Sequence, residues 1–269
     1  MKFRLLFILI AGLVCLVPYL IYQKYQQDLR APDVVPEVFA TSTEPLLYQS
    51  FSTTQEVAAA LENPPVYVES FPSDFNKRGT PELFIKVLLP YIQYYNRQIL
   101  SDRQQLIVIA NKLWAHEPLT KEETTLFLQL AALYDVNTEV DAGGAFHLLE
   151  KVNAIPPAVA LAVALVETEG GKKYLDAPFG VFVWDQNKRY VRASYLDLGA
   201  AYYAWMYQMN TADAHASFRE ERRPSISSYL LLKSLPSLRP YDGKYVKALT
   251  DAYKRYNLAR FEEKDEDDS

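Results

Sequence analysis

The residues best suited to chemistry are Glu167-Thr168-Glu169-Gly170-Gly171, which directly follow the apolar run Ala158 to Val166. That run holds only Ala, Val and Leu. It is too short to cross a bilayer and is apolar on every side, so it defines a helix buried on all faces. A carboxylate at the end of such a helix must find a partner or take up a proton, because an unpaired buried charge is expensive. Poor solvation beside Ala and Val, and the negative end of the helix dipole, both favour a protonated Glu167. A neutral carboxylic acid placed in a cleft is a general acid, able to hand its proton to a departing sugar oxygen. The alternatives are a Glu167 turned to solvent at a frayed helix end, or one paired with Lys172 or Lys173. Gly170 and Gly171 supply the left-handed conformation that stops a helix. Glu169 lies about 200° around the helix from Glu167, so it faces solvent and the two do not form a close carboxylate pair.

Further groups come from a β-hairpin. Gly180 to Trp184 and Arg189 to Arg192 flank the four-residue loop Asp185-Gln186-Asn187-Lys188, a strand–turn–strand pattern. Asp185, as a turn residue, and Tyr190 are the alternatives for a second polar group facing Glu167. Trp184 and Tyr190 have the rings to stack on sugars, although one hairpin face must also cover the core. His116, His147 and His215 are scattered without metal-ligand spacing, and no Ser/His/Asp or glycine-rich phosphate motif is present. No metal site and no cofactor are expected. Cys15 is the sole cysteine, which excludes an internal disulfide.

The elements that must position these groups read as helices. Thr80-Pro81-Glu82 caps and opens a long helix to about Trp114, with Pro90 expected to kink it. Thr120 to Glu123 is a capping box opening a second helix to about Tyr134. Ala142 to Lys151 forms a third, and Ile155-Pro156-Pro157 opens the buried one. After the hairpin, helices are expected over 195–209, 212–222, 225–235 and 244–256. Residues 31–79, interrupted by six prolines from Pro32 to Pro72, read as a spacer with local structure: a short helix at 53–61 and an extended piece at 66–68. The compact domain spans 80–258, and 259–269 is a solvated acidic tail.

From Leu5 to Tyr22 no residue is charged, long enough at about 1.5 Å per residue to cross a hydrocarbon core. Residues 1–30 therefore read as a membrane anchor, with a cleaved signal peptide as the rival. Lys2, Arg4 and the terminal amine before the span, against Lys24 and Arg30 after it with Asp28 between, tip the balance slightly to a cytoplasmic N-terminus. The net charge of -5 offers no basic footprint, which argues against nucleic acid as a partner. Only 9 glycines in 269 residues argue against a turn-dense β-sandwich. The fold class is mainly α: a lysozyme-like helical domain with one small β-hairpin, preceded by a single transmembrane helix.

Several segments share an order and spacing with a known family. They are Val66-Tyr67-Val68 with Phe71-Pro72-Ser73-Asp74, Phe84 with Leu88-Leu89-Pro90, and Asn96 through Leu100. Further on come Ile155-Pro156-Pro157 with Ala162 to Glu167, Phe179-Gly180, Asn210-Thr211 and Tyr245-Val246. Together they resemble the Bax-type bacterial glucosaminidase proteins of glycoside hydrolase family 73, over about Pro65 to Leu258. The resemblance implies a lysozyme-like fold acting on peptidoglycan glycan strands at β-linked N-acetylglucosamine, and this expected wall chemistry puts the domain in the periplasm or outside the cell. It implies Glu167 as the catalytic acid, Tyr241 as the assisting tyrosine near the last helix, and Phe179 at the substrate. The turn departs from the family's Glu-Ser-Gly-Trp-Gly: the tryptophan is replaced by Gly170 and Glu169 adds a second acid. Asp176, Ala177 and Pro178 stand where the family has Asn-Asn-Leu. Two functions follow as expectations: a peptidoglycan hydrolase of endo-β-N-acetylglucosaminidase type, or a catalytically weak or inactive membrane-tethered wall-binding scaffold.

Overall fold

The computed structural model describes residues 46–63, 66–184, 189–223, 226–235 and 243–262. Within them the chain runs β1 (Tyr48–Gln49), α1 (Thr54–Ala60), β2 (Tyr67–Val68), α2 (Phe75–Arg78), α3 (Pro81–Trp114), α4 (Lys121–Leu133), α5 (Ala142–Lys151) and α6 (Pro157–Glu167). The hairpin β3 (Phe182–Trp184) and β4 (Tyr190–Arg192) follows, then α7 (Leu198–Thr211), α8 (Ala216–Glu221), α9 (Ser228–Leu231) and α10 (Gly243–Arg255). Short 3-10 turns occupy Asp213–His215 and Leu258–Phe261. The described fold is thus mainly helical.

Helix α6 is the centre of the core. Every residue from Pro157 to Leu165 is buried, as a run without a polar face requires. Helices α3, α9 and α10 and the 3-10 turn at Leu258–Phe261 pack around it. Pro157 stands in its first turn, where the missing N–H removes no ladder bond. One amide fastens its entrance: Asn96 on α3 donates through Nδ2 to Ile155 O at 2.7 Å. Its Oδ1 accepts the Ile155 N–H at 3.4 Å and the Tyr202 hydroxyl at 3.1 Å. A fully buried tyrosine of α7 is thereby tied to both α3 and the start of α6.

Local sequence explains several boundaries. Thr120 and Glu123 close the expected capping box at α4, and Thr80 caps α3, a helix of 34 residues that continues through Pro90. Asp197 caps α7 by accepting the Ala200 N–H at 2.7 Å. The stretch 212–222, expected as one helix, divides into a 3-10 turn and α8. There Arg219 turns inward, and its Nη1 donates to Ala212 O at 2.6 Å, just past the end of α7.

The spacer expectation is corrected for residues 46–79. Val57, Val68 and Phe75 are fully buried, and β1 pairs in parallel with β2. The Tyr91 hydroxyl donates to Val68 O at 2.6 Å and Phe71 stacks on Phe84, so apolar burial outweighs the prolines and joins this segment to the domain. It also adds a second small sheet to the expected hairpin. The expected anchor over residues 1–30 and the acidic residues 263–269 lie outside the described residues. Among the described residues no helix is long and apolar enough to cross a membrane.

Candidate active site at the end of the buried helix

Helix α6 ends as its sequence demands. Thr168 is fully buried; its hydroxyl donates to Ala164 O at 2.7 Å and accepts the Gly171 N–H at 2.9 Å. Glu169, Gly170 and Gly171 then take φ values of 52°, 73° and 84° in succession. That left-handed run reverses the chain, and the two glycines occupy it without strain. A Cβ on Gly171 would stand 3.0 Å from the Phe84 ring, so the turn is also held against α3.

Glu167 is left with its side chain 9% exposed. Its carboxyl group lies on the α-carbon of Gly180, where an added Cβ would be 2.5 Å from Cδ and Oε2. Gly180 has φ 67°, so the position suits glycine both for its backbone and for the carboxylate it admits. Neither neighbouring lysine reaches Glu167. Lys172 donates to Gly79 O at 2.7 Å, and Lys173 pairs with the exposed Glu169 at 2.7 Å.

The partner comes from the hairpin. Arg192 Nη2 donates to Glu167 Oε2 at 2.5 Å, with the arginine side chain only 13% exposed. Its Nη1 donates to Ala177 O at 3.1 Å, and the guanidinium lies 4.4 Å over the Tyr174 ring and 5.2 Å from that of Phe182. Arg192 is thus fixed by a carboxylate, a carbonyl and two aromatic faces. In this contact Glu167 accepts a hydrogen bond, and the charged group facing it is a cation, where carboxylate-pair hydrolysis asks for a second carboxylate.

Close by lies a groove of about 550 Å³, walled by residues 69–73 and 76, 172–176 and 195–198. Neither Glu167 nor Arg192 lines it. The groove presents the Phe71 and Tyr174 rings beside Glu69, Asp176 and Asp197. The Tyr195 hydroxyl is buried in its wall without a protein partner among the described residues. Burial pushes this phenol up to about 12, so it stays a neutral donor.

The expected site residues are only partly brought together. Phe179, expected at the substrate, is fully buried and stacked on Trp205 at 5.4 Å. Its ring belongs to the core, packed against Tyr202 and Trp205 of α7, and does not line the groove. Trp184 and Tyr190 are Cα partners at the hairpin end, and their side chains lie outside the described residues. Asp185 and Tyr241 also lie outside them. Arg192 and Tyr195 were not singled out in the sequence. The signal for Arg192 was the need of a buried acid for a counter-charge, met 25 positions away instead of at Lys172 or Lys173.

No family model, curated protein or solved structure matches this chain.

Proposed function

We propose that this chain is a glycan-binding domain of glucosaminidase-like, lysozyme-like build, held at a membrane by residues 1–30 outside the cytoplasm. In this reading it engages peptidoglycan strands without efficient hydrolysis. The observation that carries the weak-catalysis reading is the buried Arg192–Glu167 pair. An acid already engaged by a guanidinium, away from the neighbouring groove, is poorly placed to protonate a sugar oxygen. The groove beside it supports binding, since aromatic faces interleaved with carboxylates and hydroxyls suit the apolar faces and hydroxyl edges of sugars. Peptidoglycan as the ligand rests on the family resemblance.

The test is to incubate the purified chain with peptidoglycan, follow co-sedimentation, and identify released fragments by mass spectrometry beside Glu167→Gln. Co-sedimentation is expected, with no more release from the wild type than from the variant. Absence of co-sedimentation would remove the binding reading. A second reading is favoured by the place of Glu167 at the end of a wholly buried helix, against the hairpin: an endo-β-N-acetylglucosaminidase-type hydrolase with Glu167 as general acid. Fragments ending in reducing N-acetylglucosamine, released by the wild type and not by Glu167→Gln, would establish it.

A further inference from the structure

A second cavity opens at the other end of α6, where the chain enters the helix. It measures about 550 Å³ and is walled by α3, the connection from α5 to α6, and residues 222, 223, 226 and 228. Three arginines line it, Arg103, Arg222 and Arg223, against one carboxylate, Glu262. Glu262 Oε1 is already engaged by the Tyr253 hydroxyl at 2.6 Å.

Among the described residues no carboxylate forms an ion pair with Arg103 or Arg222. Arg222 is 7% exposed; its Nη1 donates to Asn210 Oδ1 at 2.7 Å and its Nη2 to Glu150 O at 3.5 Å, both neutral acceptors. Its Nε is buried with no partner among the described residues. Arg103 Nη1 donates to Leu149 O and, at 2.8 Å, to Val152 O. These bonds satisfy carbonyls at the C-terminal end of α5, which is a structural role for the two side chains. They leave Nε and Nη2 of Arg103 without a protein partner among the described residues, in a side chain that is only half-buried. Arg223 stands exposed at the rim.

The surroundings intensify the positive field. Arg219 lies close enough to destabilise the charge on Arg222, and its own counter-charges are Glu150, at 3.7 Å, with Asp213 and Glu220. Burial, then Arg219 and Arg103, pull the Arg222 guanidinium down to about 9. The N-terminal end of α6, with Pro156 and Pro157 in the cavity wall, adds the positive pole of a helix dipole. Buried charges are normally compensated, and guanidiniums match planar or tetrahedral oxyanions through paired N–H donors.

The geometry points to a binding site here for a small molecule bearing an oxyanion, a carboxylate or phosphate group. The anion sits between Arg103 and Arg223 in the field of Arg222. The cavity exceeds the volume of the anion itself, and Leu100, Pro156 and Ile226 offer apolar wall for the rest of the ligand. This site is independent of Glu167 and of the groove beside it.

The probes are sodium phosphate and sodium acetate, titrated into the full chain by calorimetry at fixed ionic strength, with chloride as the control. Saturable binding of at least one is expected, and which one binds tighter identifies the head group. Two variants at the wall leave the core bonds in place: Arg223→Glu, whose side chain is exposed, and Asn153→Asp, which retains the carbonyl that accepts from Asn210. Both are expected to weaken binding by about fivefold or more without lowering the anion-free thermal midpoint. Heats no larger than those of chloride for both probes would overturn the site. So would saturable binding that both variants retain at full affinity.

Discussion

Arg192 Nη2 lies 2.5 Å from Glu167 Oε2, and both side chains are almost wholly withdrawn from water, at 13% and 9% exposure. A pair so placed is defined by what happens when one member is lost. Replacing Arg192 with methionine leaves a buried carboxylate facing Gly180 and two aromatic rings, a loss of about 3–5 kcal/mol in stability at neutral pH. The double variant Glu167→Gln with Arg192→Met removes the stranded charge and is expected to recover most of that loss. Urea unfolding of the wild type, both single variants and the double variant measures the coupling. Additive single effects would show that the contact contributes no pairwise energy.

Gly180 is the other wall of this site. Alanine there meets the Glu167 carboxyl carbon at 2.5 Å and must also hold φ 67°. Gly180→Ala is therefore expected to destabilise by about 2–4 kcal/mol, from left-handed strain together with overpacking. The steric share depends on Glu167 and the backbone share does not. In a Glu167→Ala background the same substitution should cost measurably less, compared by thermal or urea midpoints. An equal cost in both backgrounds would place the whole effect in the backbone.

Asn96 secures the opposite end of α6. Its removal as Asn96→Ala orphans the Ile155 N–H and C=O and the Tyr202 hydroxyl together, all of them buried. At about 1–3 kcal/mol for each unsatisfied buried group, a loss of several kcal/mol is expected in urea unfolding. Tyr202→Phe removes only one of these bonds and should cost about 1 kcal/mol. Comparable losses for the two variants would show that the amide does not act as the common tie.

These relationships mark where sequence reading succeeds and where it stops. The buried helix was legible because Ala158 to Val166 has no polar face, and its end was legible because Gly170 and Gly171 follow at once. The caps at Thr80 and Thr120 could be read for the same reason, each being decided within four residues. The folding of residues 46–79 onto the domain was not legible, because Val57, Val68 and Phe75 are buried by partners far along the chain. The same limit hid the site's electrostatics. Local sequence offered Lys172 and Lys173 to Glu167, whereas the fold brings Arg192 across the hairpin and turns the lysines to Gly79 and Glu169. Long-range charge pairing has no periodicity to read.

His215 carries the last expectation, one of pH. It is 2% exposed, walled by Val163, Trp205, Met209 and Leu235, with Gln208 and Tyr245 as polar neighbours, and its Nδ1 has no partner among the described residues. Burial first, then the positive charge of Arg219, pull the imidazole down to about 4. Its folded-state value lies below the ordinary 6.5, so between those limits the unfolded chain binds a proton that the folded chain refuses. Stability from this group is therefore intact above about pH 6.5 and is lost as the pH falls towards 4. By pH 5 the loss attributable to His215 is about 2 kcal/mol. Carboxylates elsewhere titrate in the same range, so the measurement is a difference: urea midpoints at pH 7 and pH 5 for the wild type and for His215→Gln. The variant should lose less stability between the two pH values than the wild type. Parallel losses would mean that the imidazole is not held neutral in the folded protein.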